Sequence, residues 1–280
     1  MNLQQKHDKL KTALGSTGRL LIAYSGGVDS TFLLKVAVDT LGKDKVAACI
    51  AQGPSLPQSQ YDRAVELANK MGAELITIET DEMNDTEYLA NKADRCYHCK
   101  SNLFEQLVGL AKEKGFDTVA CGHNLDDTKD YRPGNAAAVD FGIRAPLIEA
   151  GLTKQDIRQL SKELNLPTAQ LPASPCLASR IAYGLEITEK NLSQVEEAEE
   201  FLRSLGLVEF RVRHHGDIAR IEVRPEDMPK IMREDTRRKV VERLRELGFK
   251  FVSLDLAGFR SGSLNETLSQ AEKSRYTRID

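Results

Sequence analysis

The chain has 280 residues, 41% of them hydrophobic and 29% charged, with a formal net charge of −3. That length suits one large domain or two smaller ones, and the composition is that of a soluble globular chain. The charge argues against bulk electrostatic binding of nucleic acid, and no run approaches the about 18 apolar residues of a membrane span. The N-terminal segment Met1–Leu14 is polar and lacks the apolar core of a signal peptide, so a cytoplasmic protein is expected.

The first strand-like run is Leu20–Tyr24, and it leads through Ser25-Gly26-Gly27-Val28-Asp29-Ser30 into a helical pattern over Ser30–Leu41. A glycine-rich turn between strand and helix leaves backbone N–H groups facing outward, where the helix dipole adds partial positive charge. Two glycines let an anion approach the backbone closely, and Ser25 and Ser30 add hydroxyl donors. No Gly-Lys-Ser/Thr follows, so this is not a Walker loop. Further strand-like runs are predicted at Val46–Ala51, Leu75–Ile78 and Thr118–Cys121, with helical patterns such as Gln58–Met71 and Lys100–Lys114 between them. This alternation predicts an α/β fold with a parallel sheet covered on both faces. Ligands gather at the carboxyl ends of such strands, so Tyr24–Ser30 and the stretch Gly122-His123-Asn124-Leu125-Asp126-Asp127 are expected on one rim.

Five cysteines in a cytoplasmic chain are not expected to form structural disulfides. Cys49 and Cys121 fall inside apolar strand patterns and read as buried core thiols. Cys96-Tyr97-His98-Cys99 is a C-x-x-C pair just ahead of a helix, and Cys176 follows in Leu164–Tyr183, a loop or linker carrying Pro167, Pro172 and Pro175. Three thiolates suit zinc, with His98 as a fourth ligand. They equally suit three irons of a [4Fe–4S] cluster whose fourth iron stays open. A redox pair or chance spacing is the alternative.

Beyond the linker, a helix is predicted over Thr188–Leu205, strands over Glu209–His214 and Ile218–Val223, a helical stretch over Pro225–Leu247 broken near Asp235, and a last strand over Lys250–Leu254. This order marks a smaller second domain. In Arg211-Val212-Arg213-His214-His215, strand alternation puts Arg211, Arg213 and His215 on one face, and Arg220, Glu222 and Arg224 repeat the period in the next strand. Guanidinium groups on one face suit a phosphate; a solvated face balanced by acids is the bland alternative. Glu199, on the preceding helix, is either a surface carboxylate or a ligand to Mg²⁺.

The run Ser-Gly-Gly-x-Asp-Ser resembles the PP-loop of ATP pyrophosphatases, which cleave ATP between the α and β phosphates. Three further stretches join it: Asp130-Tyr131-Arg132-Pro133-Gly134; Ala178-Ser179-Arg180 with Tyr183-Gly184; and Arg211-Val212-Arg213 with Asp217-Ile218-Ala219-Arg220-Ile221. Together with the tail Leu254-Asp255-Leu256-Ala257-Gly258-Phe259-Arg260-Ser261-Gly262, they resemble the LarE sulfur transferases over nearly the whole chain. That resemblance implies a doubly wound PP-loop (adenine nucleotide alpha hydrolase-like) sheet over 1–165, a linker over 166–187 carrying Cys176, and a small α+β domain over 188–280. It implies adenylylation of a carboxylate of pyridinium-3,5-biscarboxylic acid mononucleotide by ATP and its conversion to a thiocarboxylate, in nickel-pincer nucleotide biosynthesis. The roles implied are Asp29 near Mg²⁺ and phosphates, Lys100 and Arg180 at the substrate or adenylate, Arg211 and Arg213 on phosphate, Glu199 on a divalent metal, and Cys176 at the sulfur-transfer step. A small nucleotide substrate, a sulfide source and a homo-oligomer are implied as partners.

One branch of that family uses a sacrificial linker cysteine and lacks the C-x-x-C, and its cysteine lies one position nearer the Ser of the Ala-Ser pair. Here Pro175 and Cys176 stand differently, and Cys96, Cys99 and Cys176 resemble the branch that holds a [4Fe–4S] cluster. Competing expectations are Cys176 as sacrificial donor, an amide ligase, a tRNA thiolase, and a zinc-stabilised nucleotide-binding protein.

Overall fold

A computed structural model describes residues 1–128, 133–172, 175–260 and 262–270. Asp130, Tyr131, Arg132 and Ser261 of the sequence motifs lie outside the described residues. The chain forms two compact units, one made of Met1–Glu82 and Asp94–Ser174, the other of Met83–Ala93 and Pro175–Ser269.

The first unit runs α1 (Leu3–Gly15), β1 (Leu20–Ala23), α2 (Val28–Leu41), β2 (Val46–Gln52), α3 (Gln58–Lys70) and β3 (Glu74–Glu79). The short α4 (Thr86–Leu89) belongs to the other unit. The first unit resumes with α5 (Arg95–Lys114), β4 (Thr118–Cys121), α6 (Pro133–Asp140), α7 (Pro146–Glu149) and α8 (Lys154–Glu163). Its four strands are parallel in the order β3-β2-β1-β4, with Leu20 of β1 opposite Val46 on one side and Thr118 on the other. Side chains alternate across a strand, so Leu20 and Ile22 enter one core with Phe32, Leu33 and Ile157, while Leu21 enters another with Phe104 and Leu107. The predicted parallel sheet covered on both faces is therefore present.

One element departs from the sequence reading. The helix expected from Lys100 begins at Arg95, so Cys96 and Cys99 lie on its first turns instead of ahead of it. No Gly or Pro interrupts Arg95–Lys100, and packing supplies what modest propensity does not. Tyr97 donates its hydroxyl to Asp140 Oδ2 at 2.8 Å, and Gly134 of α6 lies so close that a Cβ there would meet Lys100 Cγ at 2.9 Å. The polar N-terminal segment forms α1 over Leu3–Gly15, with a capping box between Asn2 and Gln5.

The second unit contains α4, α9 (Glu189–Ser204), β5 (Phe210–His215), β6 (Ile218–Val223), α10 (Met228–Met232), α11 (Glu234–Glu246) and β7 (Phe251–Leu254). β5 and β6 form an antiparallel hairpin around Gly216 (φ +68°), and β7 adds parallel to β6. Ala198 and Leu202 of α9 and Val240 and Leu244 of α11 pack on Val212 and Ile221 of this sheet. The predicted helix over Pro225–Leu247 breaks at Arg233, whose ψ of 137° leaves the helical region. Asn91 is fully buried and donates its amide to the carbonyls of Ala182 (2.9 Å) and Leu185 (2.8 Å), which ties Met83–Ala93 into this unit. Among the described residues, no helix is long and apolar enough to cross a membrane.

The sheet order places a topological switch between β1 and β4, where α/β sheets bind ligands. There Gly122 passes so close to α2 that a Cβ would stand 2.9 Å from Ser30 N. Backbone cannot yield as a side-chain tip does. Gly122→Ala is expected to lose about 1–3 kcal/mol by overpacking, measured by urea denaturation, whereas Gly142→Ala, with no atom within 4 Å of its Cβ, meets only the positive-φ penalty.

Candidate functional site

The loop after β1 is shaped for an anion. Gly26 has φ +66°, and a Cβ there would lie 2.5 Å from Ala64 Cβ on α3, so conformation and space both require glycine. Gly27 is the N-cap of α2 and contributes no side-chain cap, leaving the first-turn N–H groups to an incoming acceptor. Ser25 and Ser30 bring their hydroxyls within 3.1 Å of each other, and Ser30 Oγ accepts from Ser25 N–H at 3.3 Å. Gln60 of α3 donates to Ser25 O at 3.0 Å and braces the loop.

Asp29 lies in the first turn of α2. Its Oδ2 accepts from Lys154 Nζ at 2.6 Å, while its Oδ1 is buried with no hydrogen-bond partner among the described residues. A buried orphan carboxylate oxygen fits a hard cation such as Mg²⁺, which takes one or two carboxylates and completes its shell with phosphate and water. Lys154 is a site residue that sequence reasoning missed. The signal available was a lysine at the start of α8, where a cation opposes the helix dipole. The structure supplies the reason: Lys154 N–H donates to Asp126 Oδ2 at 2.8 Å and its ammonium pairs with Asp29. Asp126 is itself set by a turn in which its N–H donates to Asn124 Oδ1 and Asn124 N–H to Asp127 Oδ2. The stretch Gly122–Asp127 thus meets the Ser25–Ser30 loop as predicted, through Gly122 and through Lys154.

On α5, Cys96 and Cys99 are half-buried, one turn apart. Cys99 Sγ donates to the buried carboxylate of Glu82 at 3.4 Å. Lys100 stands 5.9 Å above the Phe104 ring, and its charge reaches Cys121 at the end of β4. His98, the alternative zinc ligand, has Nε2 3.8 Å from Asp94 Oδ2. Burial separates the remaining thiols from these: it pushes Cys49 up to about 12 and Cys121 up to about 11. Cys176 is half-buried in the second unit. The chemistry of Cys96, Cys99 and Cys176 suits thiolate ligation, yet among the described residues no three His, Cys, Asp or Glu side chains are grouped to hold a metal ion.

In the second unit the expected phosphate and metal residues are largely occupied with one another. Arg180 is 2% exposed and forms a bidentate pair with Glu199, at 2.9 and 3.1 Å. Glu199 Oε1 also accepts Val212 N–H at 3.1 Å. Both oxygens of Glu199, the residue expected at a divalent metal, therefore accept from protein donors. Arg213 donates to Glu222 Oε2 at 2.8 and 3.0 Å and to Ser263 Oγ at 3.0 Å. Arg220, opposite Arg213 in register, donates to Glu222 Oε1 at 3.1 Å. The fully buried Glu222 thus holds two guanidinium groups, and the face expected to clamp phosphate is largely an internal ion network. Arg211 donates from Nη1 to Phe210 O at 2.5 Å and lies 5.1 Å over the Phe259 ring, and burial together with the nearby charge of Arg180 lowers it to about 10. A cation desolvated beside other cations gains most from an anion.

A parallel sheet whose first strand opens through a glycine-rich anion loop into a helix, with the switch point beside it, is the architecture of the PP-loop nucleotide-binding proteins. A profile of the NAD synthase family matches residues 3–105. The chain is 38% identical over 274 residues to the pyridinium-3,5-bisthiocarboxylic acid mononucleotide synthase of Lactiplantibacillus plantarum, covering 98% of this chain and 99% of that protein. It is 42% identical to an uncharacterized protein of Synechocystis sp., over 96% of this chain and all of that one. A Methanocaldococcus jannaschii protein is 33% identical over 87% of this chain and 91% of its own length. The chain belongs to the LarE family, that of pyridinium-3,5-bisthiocarboxylic acid mononucleotide synthase.

The thiol environments make a direct prediction. At pH 8 a thiol near 12 is ionised to about one part in ten thousand, and the thiolate is the reactive form. Iodoacetamide is expected to label Cys96, Cys99 and Cys176 in the folded chain, and Cys49 and Cys121 only after unfolding, as read by peptide mass spectrometry.

Proposed function

We propose that the chain is an ATP-dependent sulfur transferase that converts a carboxylate of pyridinium-3,5-biscarboxylic acid mononucleotide to a thiocarboxylate. The relationship to the Lactiplantibacillus plantarum synthase, end to end in both proteins, carries this reading. The geometry of the first unit supports its first half. The loop Ser25–Ser30 offers backbone and hydroxyl donors to phosphates, and Asp29 Oδ1 offers an oxygen to Mg²⁺, which would neutralise charge on the departing pyrophosphate. The substrate carboxylate oxygen attacks the α-phosphorus, the bond to the β-phosphate oxygen breaks, and pyrophosphate leaves. What the chain supplies to that step is positioning and electrostatics. Lys100 and Arg211 serve as cations for the nucleotide substrate or its adenylate.

In the second half, a sulfur nucleophile attacks the activated carbonyl carbon and AMP leaves with the acyl oxygen. Cys96, Cys99 and Cys176 are the ligands proposed for a [4Fe–4S] cluster, on the chemistry of three half-buried thiols; bound there, a cluster would supply an iron open to sulfide. The competing source is the sulfur of Cys176 itself.

The test is anaerobic single turnover with ATP, Mg²⁺, the biscarboxylate mononucleotide and sulfide. Expected products are AMP, pyrophosphate and the thiocarboxylate, with Cys176 at its original mass and near four iron and four acid-labile sulfide per chain. Cys176 lacking one H₂S would move the sulfur source to that residue, and absence of thiocarboxylate under either supply would overturn the proposal. Asp29→Asn is expected to slow pyrophosphate release by about 10²-fold. It should cost less than about 1 kcal/mol of stability in urea, because its pair with Lys154 is partly exposed.

A further inference from the structure

We infer that Arg180 and Arg213 are positioning residues that hold the Cys176 turn through two buried arginine–glutamate clasps. The inference rests on the reading of Cys176 as a residue of the sulfur-transfer step.

The turn is Cys176 followed by the single 3-10 turn Leu177–Arg180. A segment this short has few backbone bonds: Ser179 N–H to Cys176 O at 3.0 Å and Ile181 N–H to Ala178 O at 3.1 Å. Side chains provide the rest. Arg180 Nη1 donates to three acceptors of the turn, the carbonyls of Pro175 (2.6 Å) and Cys176 (3.1 Å) and Ser179 Oγ (2.9 Å). Ser179 Oγ donates to Cys176 O at 2.7 Å. From the strand side, Arg213 Nη1 donates to Ser179 O at 3.1 Å.

Each guanidinium is in turn fixed by a buried carboxylate. Glu199 of α9 is 5% exposed and takes Arg180 Nε and Nη2; Glu222 of β6 is fully buried and takes Arg213 Nε and Nη2. That leaves the Nη1 of each arginine for the turn. The fork of a guanidinium allows this division of labour, one edge on a carboxylate and the other on carbonyls, which an ammonium cannot copy. Val212 N–H on Glu199 and Ser263 Oγ on Glu222 (2.7 Å) complete the two carboxylates.

Arg180→Lys keeps the charge and loses the fork. Glu199→Gln keeps the size and loses the charge. Ser179→Ala removes only the hydroxyl bridge, which keeps the test open if either of the others fails to fold. In the full chain, all three are expected to speed hydrogen–deuterium exchange at the Ser179 and Ile181 amides at least tenfold and to change the rate of Cys176 alkylation by iodoacetamide at one fixed pH at least tenfold. The alkylation of Cys96 and Cys99 should stay unchanged. In turnover, kcat should fall at least tenfold while KM for the biscarboxylate mononucleotide stays within twofold. A raised KM with kcat, exchange and Cys176 alkylation unchanged would overturn the inference and make Arg180 a substrate contact. Unaltered exchange and alkylation in all three variants would overturn it as well. If the wild-type chain forms no thiocarboxylate, the proposed function fails separately, and exchange and alkylation still decide whether the clasps hold the turn.

Discussion

Close approach of backbone to backbone is the constraint on which the first unit depends. An anion can be cradled by N–H groups only if nothing stands in front of them, and beside this loop Gly26 and Gly122 are positions where a single Cβ would intrude, one on Ala64 and one on Ser30. The sheet order brings these glycines together, because β1 and β4 are parallel neighbours and each glycine follows the carboxyl end of its strand. Gln60, Lys154 and the Asn124–Asp127 turn then fix a loop whose own sequence is permissive. Permissive backbone alone would sample many conformations, so the bracing side chains are as much part of the site as the glycines.

The second unit answers a different constraint. Buried charge is tolerated where it is paired and fully hydrogen-bonded, and Glu199 and Glu222 are arranged so that this requirement is met by Arg180, Arg213 and Arg220. Such networks give little net stability, yet removing one partner strands the other charge. Their geometric consequence matters more here. The short turn that bears the Cys176 thiol accepts from donors whose other edges are already anchored to α9 and β6.

Environment also sorts the five cysteines. Cys49 and Cys121 sit in strands of a sheet covered on both faces, where the thiolate has no solvation, and their place is in the core. Cys96, Cys99 and Cys176 are half-buried. Partial exposure sets these three apart from the core pair.

The sequence by itself determined what is local. Alternating strand and helix patterns, the Ser25–Ser30 loop, the core cysteines and the helix–strand order of the second unit were legible, because propensity, periodicity and the special conformations of glycine act over a few residues. Family membership was legible as well, because motifs are read along the chain. The start of α5 at Arg95 was not, since packing against α6 fixes it. The partners of charged groups were not legible either. Asp29 and Lys154 are 125 residues apart, Arg180 and Glu199 are 19 apart, and a period-two row of arginines looks the same whether it faces a phosphate or a buried glutamate. Only the tertiary structure decided those pairings, because a charge is claimed by whichever opposite charge the fold leaves nearest once water is gone.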